Sequence, residues 1–149
     1  MLFRSVFRGK ELDQVDRFPY LGVTINNKLK WLDHVSSITT KANRSLGMIQ
    51  RSLWDCPKSV REAACTALVR PKLEYASAAW DPYLQKDVSA LERVQRKAAR
   101  LCSQNCSKYA SVAGMIKHLG WDTLELRRRK ARLALMYKLN HGLVDIDSI

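Results

Sequence analysis

From Trp31 onward the apolar residues recur at helical spacing. Trp31, Val35, Ile38, Ala42, Leu46, Ile49 and Leu53 are separated by steps of 4, 3, 4, 4, 3 and 4. Such steps lay a single apolar stripe along a helix, here of about six turns. Pro57 stands where a second helix begins, because its fixed φ suits a first turn, and Val60, Ala64, Ala67 and Leu68 continue the pattern. Pro71 then interrupts it, since proline lacks the backbone donor and crowds the preceding turn. The spacing predicts that the helix resumes over Leu73 to Trp80 and stops at Asp81-Pro82. A third long helix is predicted over about Asp87 to Cys102, with Leu91, Val94, Ala98 and Leu101 inward. A short helix follows over Ser111 to Leu119, closed by Gly120 as a C-cap. Asp122-Thr123-Leu124-Glu125 has the form of a capping box with Asp122 as the capping residue. It opens a last helix that runs to about Asn140 and ends at Gly142.

The first 26 residues follow a different rule. Leu2 to Arg8, Gly9-Lys10 and Glu11 to Val15 read as a short hairpin around a glycine turn. Phe18-Pro19-Tyr20-Leu21-Gly22-Val23-Thr24-Ile25 reads as a further strand, rich in aromatic and β-branched residues, and Asn26-Asn27 ends it as a turn. The predicted fold class is mainly α: a bundle of four to five helices preceded by a small antiparallel β element.

With 149 residues the chain makes about one domain, and at 46% hydrophobic residues it can build a core. No apolar stretch approaches the roughly 20 residues of a spanning helix. Arg4, Arg8 and Lys10 break the N-terminal apolar residues before a signal region forms, so the chain reads as intracellular, nuclear or cytoplasmic, with no membrane partner. Cys56, Cys65, Cys102 and Cys106 form no C-x-x-C pair, which reads as reduced thiols packed among helices. A zinc site on Cys102, Cys106 and His118 or His141 matches no known ligand spacing, so no metal is expected.

Charge narrows the partner. Lys and Arg number 26 against 14 acids, a net +12, and the polyanion a basic domain most commonly meets is nucleic acid. Between Arg93 and Arg132 stand eleven basic residues and two acids, nine of the twelve net charges. Arg93, Arg96, Lys97 and Arg100 fall at i, i+3, i+4 and i+7, with a mean direction about 130° from the apolar face of their helix. No acid interrupts that stripe, unlike an ordinary solvated face that mixes Glu with Lys. Lys41, Arg44 and Arg51 repeat the pattern more weakly off the first helix's seam. Arg127, Arg128, Arg129 and Lys130 point around a whole helix circumference and cannot all meet one ligand. For each of the four, pairing with an acid is as good a reading as phosphate contact.

Catalytic patterns are missing from the sequence. It contains no adjacent carboxylates, no Gly-rich phosphate loop and no H-E-x-x-H. His34, His118 and His141 fall on separate elements without a nucleophile at motif spacing. Trp31, Tyr75, Trp80 and Trp121 sit at core spacing and read as packing residues.

Five blocks in order carry a resemblance: Phe18-Pro19-Tyr20-Leu21-Gly22-Val23; Trp31-Leu32-Asp33-His34-Val35; Leu68 to Ser77 through Trp80-Asp81-Pro82; Leu91 to Arg100; and Leu119-Gly120-Trp121 with Leu124-Glu125 and Arg127-Arg128. Over about Val15 to Val144 the chain resembles the carboxy-terminal portion of non-LTR retrotransposon reverse transcriptases of the jockey-like group. The resemblance implies that residues 1–27 correspond to the end of a polymerase palm, with Tyr20, Leu21 and Gly22 in the hairpin that holds the primer end. It implies that residues 28–149 correspond to the thumb, which cradles the template-primer duplex. The departure is equally definite. The family's polymerase centre uses an aromatic-x-Asp-Asp turn to hold Mg, and no Asp-Asp occurs in this chain. The fingers, most of the palm and an endonuclease have no counterpart here.

Three expectations follow. The first is a non-catalytic, thumb-like module that binds an RNA/DNA or DNA duplex, needs no cofactor itself and has the missing palm and fingers as partners. The second is an excerpt of a full-length reverse transcriptase, and the third a helical remnant with no nucleic-acid role.

Overall fold

A computed structural model describes residues 6–144 other than 12, 14, 106, 108 and 109, with the backbone alone at 7, 10 and 11. Two β-hairpins precede the helices. β1 (Val6–Phe7) and β2 (Lys10–Glu11) pair antiparallel around Arg8 and Gly9, both at positive φ. β3 (Arg17–Tyr20) and β4 (Val23–Asn26) pair with Phe18 opposite Ile25 and Tyr20 opposite Val23. The single strand expected over residues 18–25 is therefore corrected to a hairpin. The chain reverses at Leu21 (φ 45) and Gly22 (φ 83), the left-handed pair that a two-residue turn needs to match the twist of its strands. Pro19 opposes Thr24, and Asn27 N–H donates to the Asp16 carbonyl at 3.0 Å. Ladder bonds alternate from that pair, so Pro19 sits at a position that makes none, and its missing N–H costs the sheet nothing.

α1 (Leu32–Ser52) buries Val35, Ile38, Ala42, Leu46 and Ile49 of the predicted stripe, whose end members Trp31 and Leu53 flank the helix half-buried. α2 (Lys58–Leu68) starts after Pro57, and α3 (Arg70–Glu74) carries Pro71 in its first turn. The helix expected to resume as far as Trp80 stops at Glu74. Tyr75 is extended, Ala76 is left-handed (φ 53), and the Trp80 indole donates to the Tyr75 carbonyl at 2.8 Å. Burying Trp80 completely overrides the helix propensity of the alanines before it.

α4 (Gln85–Ser103) buries Leu91, Val94, Ala98 and Leu101. α5 (Val112–His118) is capped by Ser111, whose hydroxyl accepts from Gly114 N–H at 3.2 Å. Gly120 (φ 64) ends it, with Trp121 N–H returning to the Ile116 carbonyl at 3.1 Å, a six-to-one closure. α6 (Leu124–Asn140) begins one residue later than expected. Its cap is Thr123, whose hydroxyl accepts from Leu126 N–H at 3.1 Å. Asp122 is instead occupied by Lys130, and Glu92 of α4 accepts from the Glu125 N–H at 3.0 Å. α1 packs on α4, α3 and α2, while α4 also carries α5 and α6. The fold is mainly α, with its core between α1 and α4.

Candidate nucleic-acid interface

The two longest helices present their basic residues beside one another. Burial of the apolar face of α4 turns Arg93, Arg96 and Lys97 outward, with Arg100 half-buried at the edge of the seam. Seven residues of helix set Arg93 and Arg100 about 10 Å apart along the axis. Packing on α1 makes a hollow of about 450 Å³ lined by Asn43, Leu46, Gly47, Gln50, Trp54, Lys97, Arg100 and Leu101. Lys97 Nζ reaches across it to Asn43 Oδ1 at 3.3 Å. A second hollow shares Asn43 and Gly47 with the first and adds Arg44 and Arg51. A third shares Arg44 and adds Lys41, Met48 and Lys72. Among the described residues no acid lines any of the three. Lys72, whose Nζ donates to Ser45 Oγ, was not singled out from the sequence. Only the packing of α3 on α1 brings it here.

Residues of α6 are placed differently. Arg127 makes a two-point ion pair with Glu74 through Nε and Nη2, the latter at 2.9 Å, and this hydrogen bonding raises its pKa above the ordinary arginine value. Arg128 is fully buried, its Nε donating to Asp81 Oδ1 at 3.0 Å while Nη1 and Nη2 have no partner among the described residues. Burial pushes that guanidinium's pKa down. Arg132 also binds Asp81, through Oδ2. Lys130 pairs with Asp122 at 2.6 Å, holding that carboxyl below its usual range. Of the four consecutive basic residues, Arg129 alone is exposed without an ion pair among the described residues. Within the basic stretch from Arg93 to Arg132, the α4 stripe is thus without ion pairs among the described residues, while Arg127, Arg128, Lys130 and Arg132 of α6 are paired with Glu74, Asp81 and Asp122. Among the described residues, no ion pair engages Arg93, Arg96, Lys97, Arg100, Lys41, Arg44 or Arg51.

The Tyr20-Leu21-Gly22 turn lies on the helical body. Tyr75, expected in the core, is instead exposed and covers this turn, its hydroxyl donating to the Leu21 carbonyl at 3.1 Å. Behind the turn Val23 is buried in the core, and Thr24 N–H donates to His34 Nδ1 at 3.2 Å. His34 stands edge-on to Trp80, ring centres 4.6 Å apart. Burial, and then the charge of Lys41, lower its pKa. The neutral ring therefore carries its proton on Nε2.

The three histidines stand on separate elements. His34, His118 and His141 belong to α1, α5 and the end of α6, and His141 stacks on Tyr137 at 4.0 Å. Among the described residues no three His, Cys, Asp or Glu side chains converge to hold a metal. Cys56, Cys65 and Cys102 are free thiols. Cys65 and Cys102 are buried against each other, the bond between them and burial pushing Cys65 up while that same bond draws Cys102 down. Cys106 of the zinc reading, Lys108, Leu2 to Ser5 and the Phe7 side chain lie outside the described residues. No described helix is long and apolar enough to cross a membrane.

No protein-family model matches the chain, and no solved structure matches it. Over 91% of its length it is 27% identical to a 115 kDa protein in the type-1 retrotransposable element R1DM of Drosophila melanogaster. Over 90% of its length it is 24% identical to the retrovirus-related Pol polyprotein from type-1 retrotransposable element R1 2 of Nasonia vitripennis. The chain spans 14% of the first relative and 33% of the second. Its relatives are thus proteins of R1 non-LTR retrotransposable elements, in agreement with the resemblance that the five sequence blocks carry.

Proposed function

We propose that this chain is the duplex-holding, thumb-like part of a retrotransposon RNA-directed DNA polymerase, binding template-primer nucleic acid along the α1/α4 face. The carrying observation is that three adjoining hollows are edged by Lys41, Arg44, Arg51, Lys72, Lys97 and Arg100 without one acidic side chain among the described residues. Arg93 and Arg96 extend that surface along α4. Cations not neutralised by an internal carboxylate can each exchange a condensed counterion for a phosphate, and contacts of this kind bind without reading sequence. On this reading residues 1–27 continue the palm, with Tyr20, Leu21 and Gly22 against the primer end, and residues 28–149 form the thumb. Catalysis belongs to the parent protein, whose palm would hold the Mg ions. The chain alone is inactive as a polymerase because it has no Asp-Asp pair.

Titrating a labelled RNA/DNA hybrid at several salt concentrations tests the proposal. With about five phosphates neutralised, log K falls against log salt with a slope of about −4 to −5. A flat response overturns it.

A further inference from the structure

We infer that the hollow between α1 and α4 takes one unpaired nucleotide, its base against Trp54 and its phosphate on Lys97 and Arg100. This rests on the duplex reading and adds a ligand class to the same face. Phosphate contacts along a duplex need only cations on an open surface, whereas this hollow of about 450 Å³ adds aromatic and apolar walls to its cations. That volume lies within the range of small-molecule sites, which combine apolar walls with a few placed polar groups. Leu46, Leu101 and the side-chain-free Gly47 make its apolar lining, Trp54 supplies an aromatic surface, and the Gln50 amide offers a donor and an acceptor to a base edge. An aromatic wall beside two cations is the pairing by which proteins hold single-stranded nucleotides.

The backbone that carries the indole is held in place. The Trp54 carbonyl accepts from Arg61 Nη1 at 3.1 Å and from Gln104 Nε2 at 2.6 Å. Arg61 is buried and also donates to the Cys56 carbonyl and, at 3.1 Å, to the Cys102 carbonyl of α4. The loop after α1 is thereby tied to the end of α4. Trp54 keeps 37% of its surface exposed, although nothing about a solvated loop requires an indole.

Three probes test the inference: a blunt RNA/DNA hybrid, the same hybrid with a short single-stranded extension, and one whose extension is abasic. The natural extension is expected to bind about ten-fold more tightly than the abasic one, the size of one stacked base. Trp54→Ala should abolish that difference while leaving the blunt hybrid unchanged, and Trp54→Phe should keep most of it. Gly47→Leu offers a second route, filling the hollow from a helical position with Trp54 intact. An added Cβ there meets only Arg51 Nη1, at 3.4 Å. Equal binding of natural and abasic extensions overturns the nucleotide site alone. Blunt-hybrid binding that ignores salt overturns the duplex reading, and the nucleotide site with it.

Discussion

Tyr75 and Leu21, 54 residues apart, are joined by a hydrogen bond of 3.1 Å from the phenol to the turn carbonyl. The ring lies so close to the turn that a Cβ on Gly22 would stand 3.1 Å from Tyr75 Cε1. This contact latches the second hairpin to the helical body from outside, while Val23 holds it from within.

Gly22→Ala should therefore cost more than Tyr75→Phe. The first forces a left-handed alanine (φ +83) against an aromatic ring and should destabilise by about 1–3 kcal/mol. The second removes one exposed hydrogen bond, worth about 0.5–1.5 kcal/mol. Denaturant midpoints of the two variants check the order.

His34 makes stability depend on pH. Its pKa is depressed in the folded chain, so below the unfolded value of about 6.5 the unfolded state takes up a proton that the native ring refuses. The contribution is complete above that value and is lost as pH falls through the folded pKa, at no more than about 1.4 kcal/mol per pH unit. Protonating Nδ1 also ends its acceptance from Thr24 N–H. Melting temperatures should fall on acidification below about pH 6.5, and His34→Gln should flatten that limb. An unchanged pH profile in the variant would remove His34 as the cause.

At Asp81 the two directions of mutation should differ. Asp81→Ala strands a fully buried guanidinium and releases Arg132. Because Asp81 is 32% exposed, the cost should fall toward the low side for a broken buried pair, about 2–3 kcal/mol. Arg128→Met trades the charge for a flexible apolar chain and should cost less, under about 1.5 kcal/mol. Thermal unfolding of both variants decides it, and a costlier Arg128→Met would refute this account of the pair.

Local rules made α1 and α4 legible, since one apolar stripe and one basic stripe at period 3.6 fix both faces of a helix. The turn at Leu21-Gly22 was hidden by β-forming neighbours on both sides, although Gly22 was the available signal. The end of α3 was not legible. Ala76-Ser77-Ala78-Ala79 favours a helix locally, and only the burial of Trp80 ends it. Nor could spacing show which basic residues of α6 are neutralised, because Glu74 and Asp81 stand 53 and 47 residues from the arginines they hold. Trp54 escaped notice because it lies off every periodic stripe.

The most direct test of the binding face is a paired charge reversal. Arg93→Glu with Arg96→Glu alters α4 where no ion pair is lost, and Arg129→Glu with Lys130→Glu alters α6 by the same formal charge. On an RNA/DNA hybrid the α4 pair should weaken binding by at least about ten-fold and reduce the salt slope by about 2, while the α6 pair changes affinity by less than about three-fold. The opposite ranking, or equal effects from both pairs, would contradict the placement of nucleic acid on the α1/α4 face.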